Sequence, residues 1–188
     1  MKTLSPKKQE IRHREALILR VSHTLLLDRG YHGLTMARIA EAADCSKATV
    51  YQHFPCKEEI ILALATESVD IQRGLVERGA TFQGRPRERM LAVGLATEIF
   101  AELHSEASRI FQIVNGEAIL GKASEDSIWR LRSSGLRTVN VMLGIIRDAV
   151  AQGDLSLPEG HRPEYIIYNY WLLGDGVEAA DSTWLPPV

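Results

Sequence analysis

Apolar residues return every three or four positions along most of the chain, and alternating runs bounded by turn residues are nearly absent. That pattern predicts an all-helical protein. A first helix spans about Gln9 to Arg29, with Ile18, Ser22, Leu25 and Leu26 on one narrow face. Gly30 is placed to end it in a left-handed cap. Thr35 caps a second helix, Met36 to Ala43, whose Ile39, Ala40 and Ala43 face inward. Ser46 caps a third, Lys47 to His53 or Phe54, which Pro55 stops because the residue before a proline is pushed out of the α region. A fourth begins at Lys57 with Glu58 and Glu59 against its positive end and runs towards Gly79.

Further on, Pro86 opens a helix through Leu91, Leu95, Ile99 and Leu103, and another covers Ala107 to Leu120. A long helix runs from Glu125 to Gln152. Its stripe is Gly135, Val139, Met142, Ile146 and Ala149, widened by Leu136, Leu143 and Val150. The last helix, from Pro163 or Glu164 to about Ser182, is apolar almost all round. A helix apolar on two sides needs two partners. One is its own core. The other is the same helix of a second copy, giving a two-fold four-helix bundle built with the long helix. The alternative is a wide stripe buried within one chain.

Composition adds size and polarity. The 188 residues, 45% hydrophobic, suffice for one ordinary domain or a small one joined to a larger. Up to His53 there are nine Lys and Arg against five Asp and Glu; from Phe54 onward there are 13 against 19. A basic amino-terminal third on an acidic remainder suggests two roles, the first near a polyanion, although solvated helix faces give the same count. The polar, basic start lacks the apolar core of a secretory leader, and no run of 18 apolar residues exists. A cytoplasmic protein with no membrane partner is expected. Cys45 and Cys56 form no disulfide framework.

Candidate chemistry centres on ADCSKATVYQHFPCKEEI, residues 43–60. Two short helices joined at Asp44-Cys45-Ser46 make a helix-turn-helix. Val50 and Phe54 are the apolar anchors of the third helix, so Lys47, Ala48, Tyr51 and Gln52 point away from the core. Such a helix enters the DNA major groove. Ala48 allows close approach, Lys47 and Gln52 reach base edges, and Thr35, Thr49, Tyr51, His53 and Lys57 donate to phosphates. The helix starts at Thr35 and Ser46 offer free N–H groups to the same phosphates. Arg38 completes the candidate DNA-binding set.

The stretch GYHGLTMARIAEAADCSKATVYQHFPCKEEI resembles the DNA-binding domain of the TetR family of bacterial transcriptional regulators. Gly30, Tyr31, Thr35, Ile39, Ala40, Ala43, Ser46, Thr49, Tyr51, His53, Phe54, Lys57 and Glu58 match its pattern. Asp44 stands where the family has the turn glycine, and Asp tolerates the left-handed conformation better than most residues. Cys45 replaces the turn valine, Met36 the second Thr, and Cys56 the capping serine of the fourth helix. The resemblance implies a reading domain at 1–56 and a helical ligand-binding and dimerisation domain at 57–188. It also implies a homodimer on palindromic operator DNA, by default a repressor, released by a small-molecule effector and needing no cofactor. Candidate effector contacts are polar or aromatic groups on apolar helices: Phe100, His104, Phe111, Asn115, Trp129, Asn140, Asn169 and Tyr170.

Rival readings remain open. Cys45, His53 and Cys56 lie close in sequence, so a cysteine-based redox or metal sensor is the alternative, without the spacing of a zinc site. No nucleophile motif, phosphate loop or metal signature points to an enzyme. A non-specific architectural DNA binder would be basic throughout, and the acidic remainder argues against that.

Overall fold

A computed structural model describes residues 5–116 and 119–167. Seven helices are delimited among them: α1 (Pro6–Gly33), α2 (Met36–Ala42), α3 (Lys47–His53), α4 (Lys57–Ala80), α5 (Pro86–Leu103), α6 (Ser105–Gly116) and α7 (Glu125–Ala151). Residues 163–167 begin a further helix. The described residues contain no strand, and the fold is all-helical as the periodicity requires. The remainder of the expected last helix lies outside the described residues, and so do Asn169 and Tyr170.

The helix boundaries show what stops a helix and what only bends it. Gly30 has the positive φ expected of it, 65°, but its ψ is −176° and a further helical turn follows to Gly33. The glycine therefore interrupts the helix where expected, and α1 resumes across the kink for that last turn. Helix α6 is delimited as Ser105–Gly116, against the expected Ala107 to Leu120, and Ile119 and Leu120 lie in a turn.

The chain packs as two compact units. The first comprises Met1–Ser68 and His104–Leu131; the second comprises Val69–Leu103 and the chain from Arg132. In the first, Ile18 and Leu26 of α1, Ile39 of α2 and Val50 of α3 are fully buried, as are Ile60, Ile61 and Leu62 of α4. Ile110 of α6 and Ile119 join the same unit's interior. Arg109 Nη2 donates to the Leu27 carbonyl at 2.8 Å and pins α6 to α1. Ser22 is buried on α1, its hydroxyl without a hydrogen-bond partner. These units divide by packing, because the helix-turn-helix shares its interior with α6. The boundary expected at residue 56 falls inside the first of these units.

In the second unit Val76, Val93, Met142, Leu143, Ile145, Ile146 and Ile167 form the core. Helix α5 contributes Val93 to it, and Phe100 is buried on the same helix. The residues through which the sequence threads this helix lie outside: Leu91, Leu95, Ile99 and Leu103 are all exposed, Leu103 at 70%. Spacing by four identifies one side of a helix but not which side is turned inward. On α7, Met142, Ile146 and Ala149 are buried as expected, while Leu136 and Val150 are exposed.

Candidate nucleic-acid interface

The turn between α2 and α3 is built by backbone geometry. Asp44 has φ 48°, the left-handed region a glycine would ordinarily fill. Cys45 N donates to Ala40 O at 3.0 Å and Asp44 N to Glu41 O at 3.2 Å, the paired bonds of a Schellman stop. Thr35 caps α2, its hydroxyl accepting from Arg38 N at 3.3 Å. Ser46 caps α3, accepting from Thr49 N at 3.0 Å, with the two hydroxyls 2.9 Å apart. Each cap satisfies an N–H that would otherwise have no partner, typically worth about 1 kcal/mol.

Helix α3 is held by Val50, fully buried, with Phe54 half-buried beyond its end. Lys47, Ala48, Tyr51 and Gln52 are exposed together on the other face, Tyr51 at 53%. Thr35, Arg38 and Ser46 are also exposed; Thr49, His53 and Lys57 are half-buried. Three basic residues of the candidate DNA-binding set have partners inside the chain. Arg38 Nη1 donates to Gly33 O at 2.7 Å. His53 Nδ1 lies 3.6 Å from Glu15 Oε1. Lys57 Nζ donates to Tyr31 O at 2.7 Å and sits 3.6 Å above the Tyr31 ring.

Sequence reasoning missed the polar cluster behind this surface. Glu58 and Glu59 read as helix-start acids, yet both are buried. Glu58 accepts from the Tyr31 hydroxyl at 2.6 Å, and Lys122 Nζ donates to that hydroxyl at 3.1 Å. Glu59 accepts from Ser124 N at 2.6 Å and from the Ser127 hydroxyl. Burial alone would raise the Glu58 carboxyl; the Tyr31 hydroxyl, the local backbone N–H and the Cys56 thiol outweigh it and hold it below the ordinary 4.5. Burial of Glu59 is likewise outweighed, by Ser127, Ser124 and the Arg130 charge. The bond to Glu58 pushes the Tyr31 hydroxyl up. The only cue in the sequence was two adjacent acids at a helix start; their partners lie too far along the chain for spacing to reveal.

The cysteine alternative finds no support. Burial pushes the Cys56 thiol up, away from the reactive thiolate, and its Sγ lies 3.7 Å from the Lys122 carbonyl. Among the described residues no three His, Cys, Asp or Glu side chains are placed to hold a metal ion, and no helix is long and apolar enough to cross a membrane.

The candidate effector residues are dispersed. In the first unit His104 and Phe111 are half-buried, while Asn115 and Trp129 are exposed. In the second, Phe100 is buried and Asn140 exposed. An open groove of about 410 Å³ lies in the first unit along Leu26, Tyr31, Arg109 and Ile113, and none of the described candidates lines it.

Known proteins share this architecture. The family model of the bacterial regulatory proteins of the tetR family matches residues 18–64, the span from mid-α1 to the first turns of α4. The chain is 28% identical over 151 residues to the HTH-type transcriptional activator FasR of Mycolicibacterium smegmatis, covering 73% of this chain and 69% of that protein. It is 29% identical over 148 residues to the HTH-type transcriptional repressor AcnR of Corynebacterium diphtheriae, covering 75% and 72%. A bacterial regulatory protein in the tetR family from Rhodococcus RHA1 has the same fold, with a TM-score of 0.70 at 20% identity over 86% of this chain and 81% of that one. Motif, fold and relatives agree: residues 18–64 match the tetR family of bacterial regulatory proteins, and over most of its length the chain is similar to DNA-binding transcriptional regulators of that family.

Proposed function

We propose that the protein reads palindromic operator DNA as a homodimer, represses from it, and is released by a small-molecule effector bound among the helices after residue 56. The observation that carries this reading is the exposed face of α3, where Lys47, Ala48, Tyr51 and Gln52 stand opposite a fully buried Val50. Lys47 and Gln52 read base edges. Tyr51, Thr35, Ser46 and Thr49 set position on the phosphates. Arg38, His53 and Lys57 join them by exchanging their partners within the chain for phosphate. A DNA reader acts in the cytoplasm.

Two short helices give too few contacts for one copy to specify a site, and a two-fold dimer doubles them with heads about 34 Å apart or a multiple of it. Exposed Leu136 and Val150 on α7 support a second copy as the neighbour. An effector that prefers a dimer with the wrong head spacing weakens DNA binding by its differential affinity for the two states. Phe100, the buried aromatic among the described candidates, is its best-placed contact. The relatives include both an activator and a repressor, so the sign of regulation rests on the family default.

The test is selection of bound duplexes from a randomised pool, followed by Gln52→Ala and Tyr51→Ala. Gln52→Ala is expected to relax preference at one base pair by about 1–3 kcal/mol. Tyr51→Ala is expected to weaken all selected duplexes alike. A pool that yields no palindrome, or an unchanged preference in Gln52→Ala, overturns the assignment.

A further inference from the structure

The polar cluster behind the reading surface joins three stretches of the first unit: the kinked end of α1, the first turn of α4, and residues 119–127 between α6 and α7. Lys122 supplies one join. Its ammonium donates to the Tyr31 hydroxyl at 3.1 Å, stands 3.9 Å from Glu58 Oε1 and lies 5.6 Å from the Tyr31 ring centroid. Glu59 supplies the other by capping α7 from a different helix, accepting from Ser124 N at 2.6 Å and from the Ser127 hydroxyl. Ile119, fully buried, anchors the connection, and Lys122 N and Ala123 N both donate back to its carbonyl.

The first turn of α4 also holds Lys57, whose ammonium is lodged on the Tyr31 ring and carbonyl. Only Phe54, Pro55 and Cys56 separate that turn from the end of α3. The pose of α3 against α1 therefore depends on how the first turn of α4 is seated. The two joins differ in strength. Glu59 is buried and doubly bonded, whereas the Lys122 side chain is 56% exposed and interacts through charge. A half-exposed ion pair contributes little to stability but can still bias a geometry.

We propose that Lys122 is a positioning residue for the reading helix: by holding the Tyr31 hydroxyl and Glu58 together it sets the seat of α4 and, through it, the pose of α3 on DNA. This rests on the regulator reading above. It makes the α6–α7 connection, which lies outside the helix-turn-helix motif, part of what determines operator affinity.

The experiment uses the full chain and a duplex selected by the wild-type protein. Lys122→Met removes the charge and keeps the length; Tyr31→Phe removes the shared hydroxyl and keeps the ring. Each is expected to weaken binding about three- to tenfold, and the double variant no more than the weaker-binding single one, because both remove the same join. Lys122→Arg is expected to restore binding. The salt slope should stay unchanged, whereas loss of a phosphate contact would lower it by about one. Wild-type affinity in Lys122→Met, losses that multiply in the double variant, or a reduced slope each overturn the proposal. Amide exchange without DNA gives an independent arm. Lys122→Met should speed exchange in α3 and the first turn of α4, and unchanged protection there overturns the proposal even if no duplex is bound. If the wild-type chain selects no duplex while exchange responds as expected, the regulator reading fails and the seat stands.

Discussion

Asp44 is where one residue settles a turn. A β-branched or bulky residue at φ 48° would be strained, and the Schellman bonds on either side need that conformation. The sequence made this legible, since Asp is among the few residues that replace glycine there. The caps at Thr35 and Ser46 were legible for a similar reason: a short hydroxyl side chain before a helical run has a local job. Glu58 and Glu59 were not, because their donors come from distant chain. Both carboxyls are held below 4.5 in the folded protein. A depressed folded pKa contributes stability that is present above the unfolded value and lost as pH falls through the folded one. The urea midpoint is therefore expected to drop as pH falls from about 5 through the depressed folded values. The drop should be shallower in Glu59→Gln, which has one fewer of these protons to take up. An equally steep fall in Glu59→Gln would contradict the linkage.

At the scale of elements, periodicity gave the helices and their order, and chain punctuation gave most boundaries. It did not say which stripe of α5 is inside. Val93 and Phe100, seven apart, carry the burial, while the more conspicuous Leu91, Leu95, Ile99 and Leu103 do not. Orientation about a helix axis is a tertiary fact, set by what lies opposite. The approach of α4 to α5 shows this constraint directly. A methyl group on Gly79 would stand 2.8 Å from the Ala92 carbonyl oxygen and 3.1 Å from Val93 Cα, both backbone atoms without a rotamer to yield. Gly79→Ala is expected to destabilise by about 1–3 kcal/mol, despite the better helix propensity of alanine. Thermal or urea unfolding measures it, and a stabilised variant would show that the two helices separate at no cost.

For the whole molecule, a basic beginning on an acidic remainder suggested a first role near a polyanion, and the tetR-family match falls largely within that basic part. A ligand site was never legible: pockets are lined mostly by ordinary apolar residues that look like core. Sedimentation is expected to show dimers at micromolar concentration. Leu136→Glu combined with Val150→Glu should shift them to monomers that keep their helical signal, since both side chains are already exposed within one chain. A dimer undisturbed by both changes would place the contact elsewhere.

The borrowed cap has a practical side for anyone wishing to transplant the DNA-reading portion onto another protein. Cut out at Ser68, that fragment would keep Glu58 and Glu59 but leave behind Lys122, Ser124 and Ser127, which complete them. Glu58 would keep the Tyr31 hydroxyl and lose only the Lys122 charge, but Glu59, shaped for a dry, well-supplied niche, would face solvent or fold in without its serine donors, at a cost of about one to several kcal/mol. A portable version has to carry the 119–127 strap along or trade those acids for residues content to be wet.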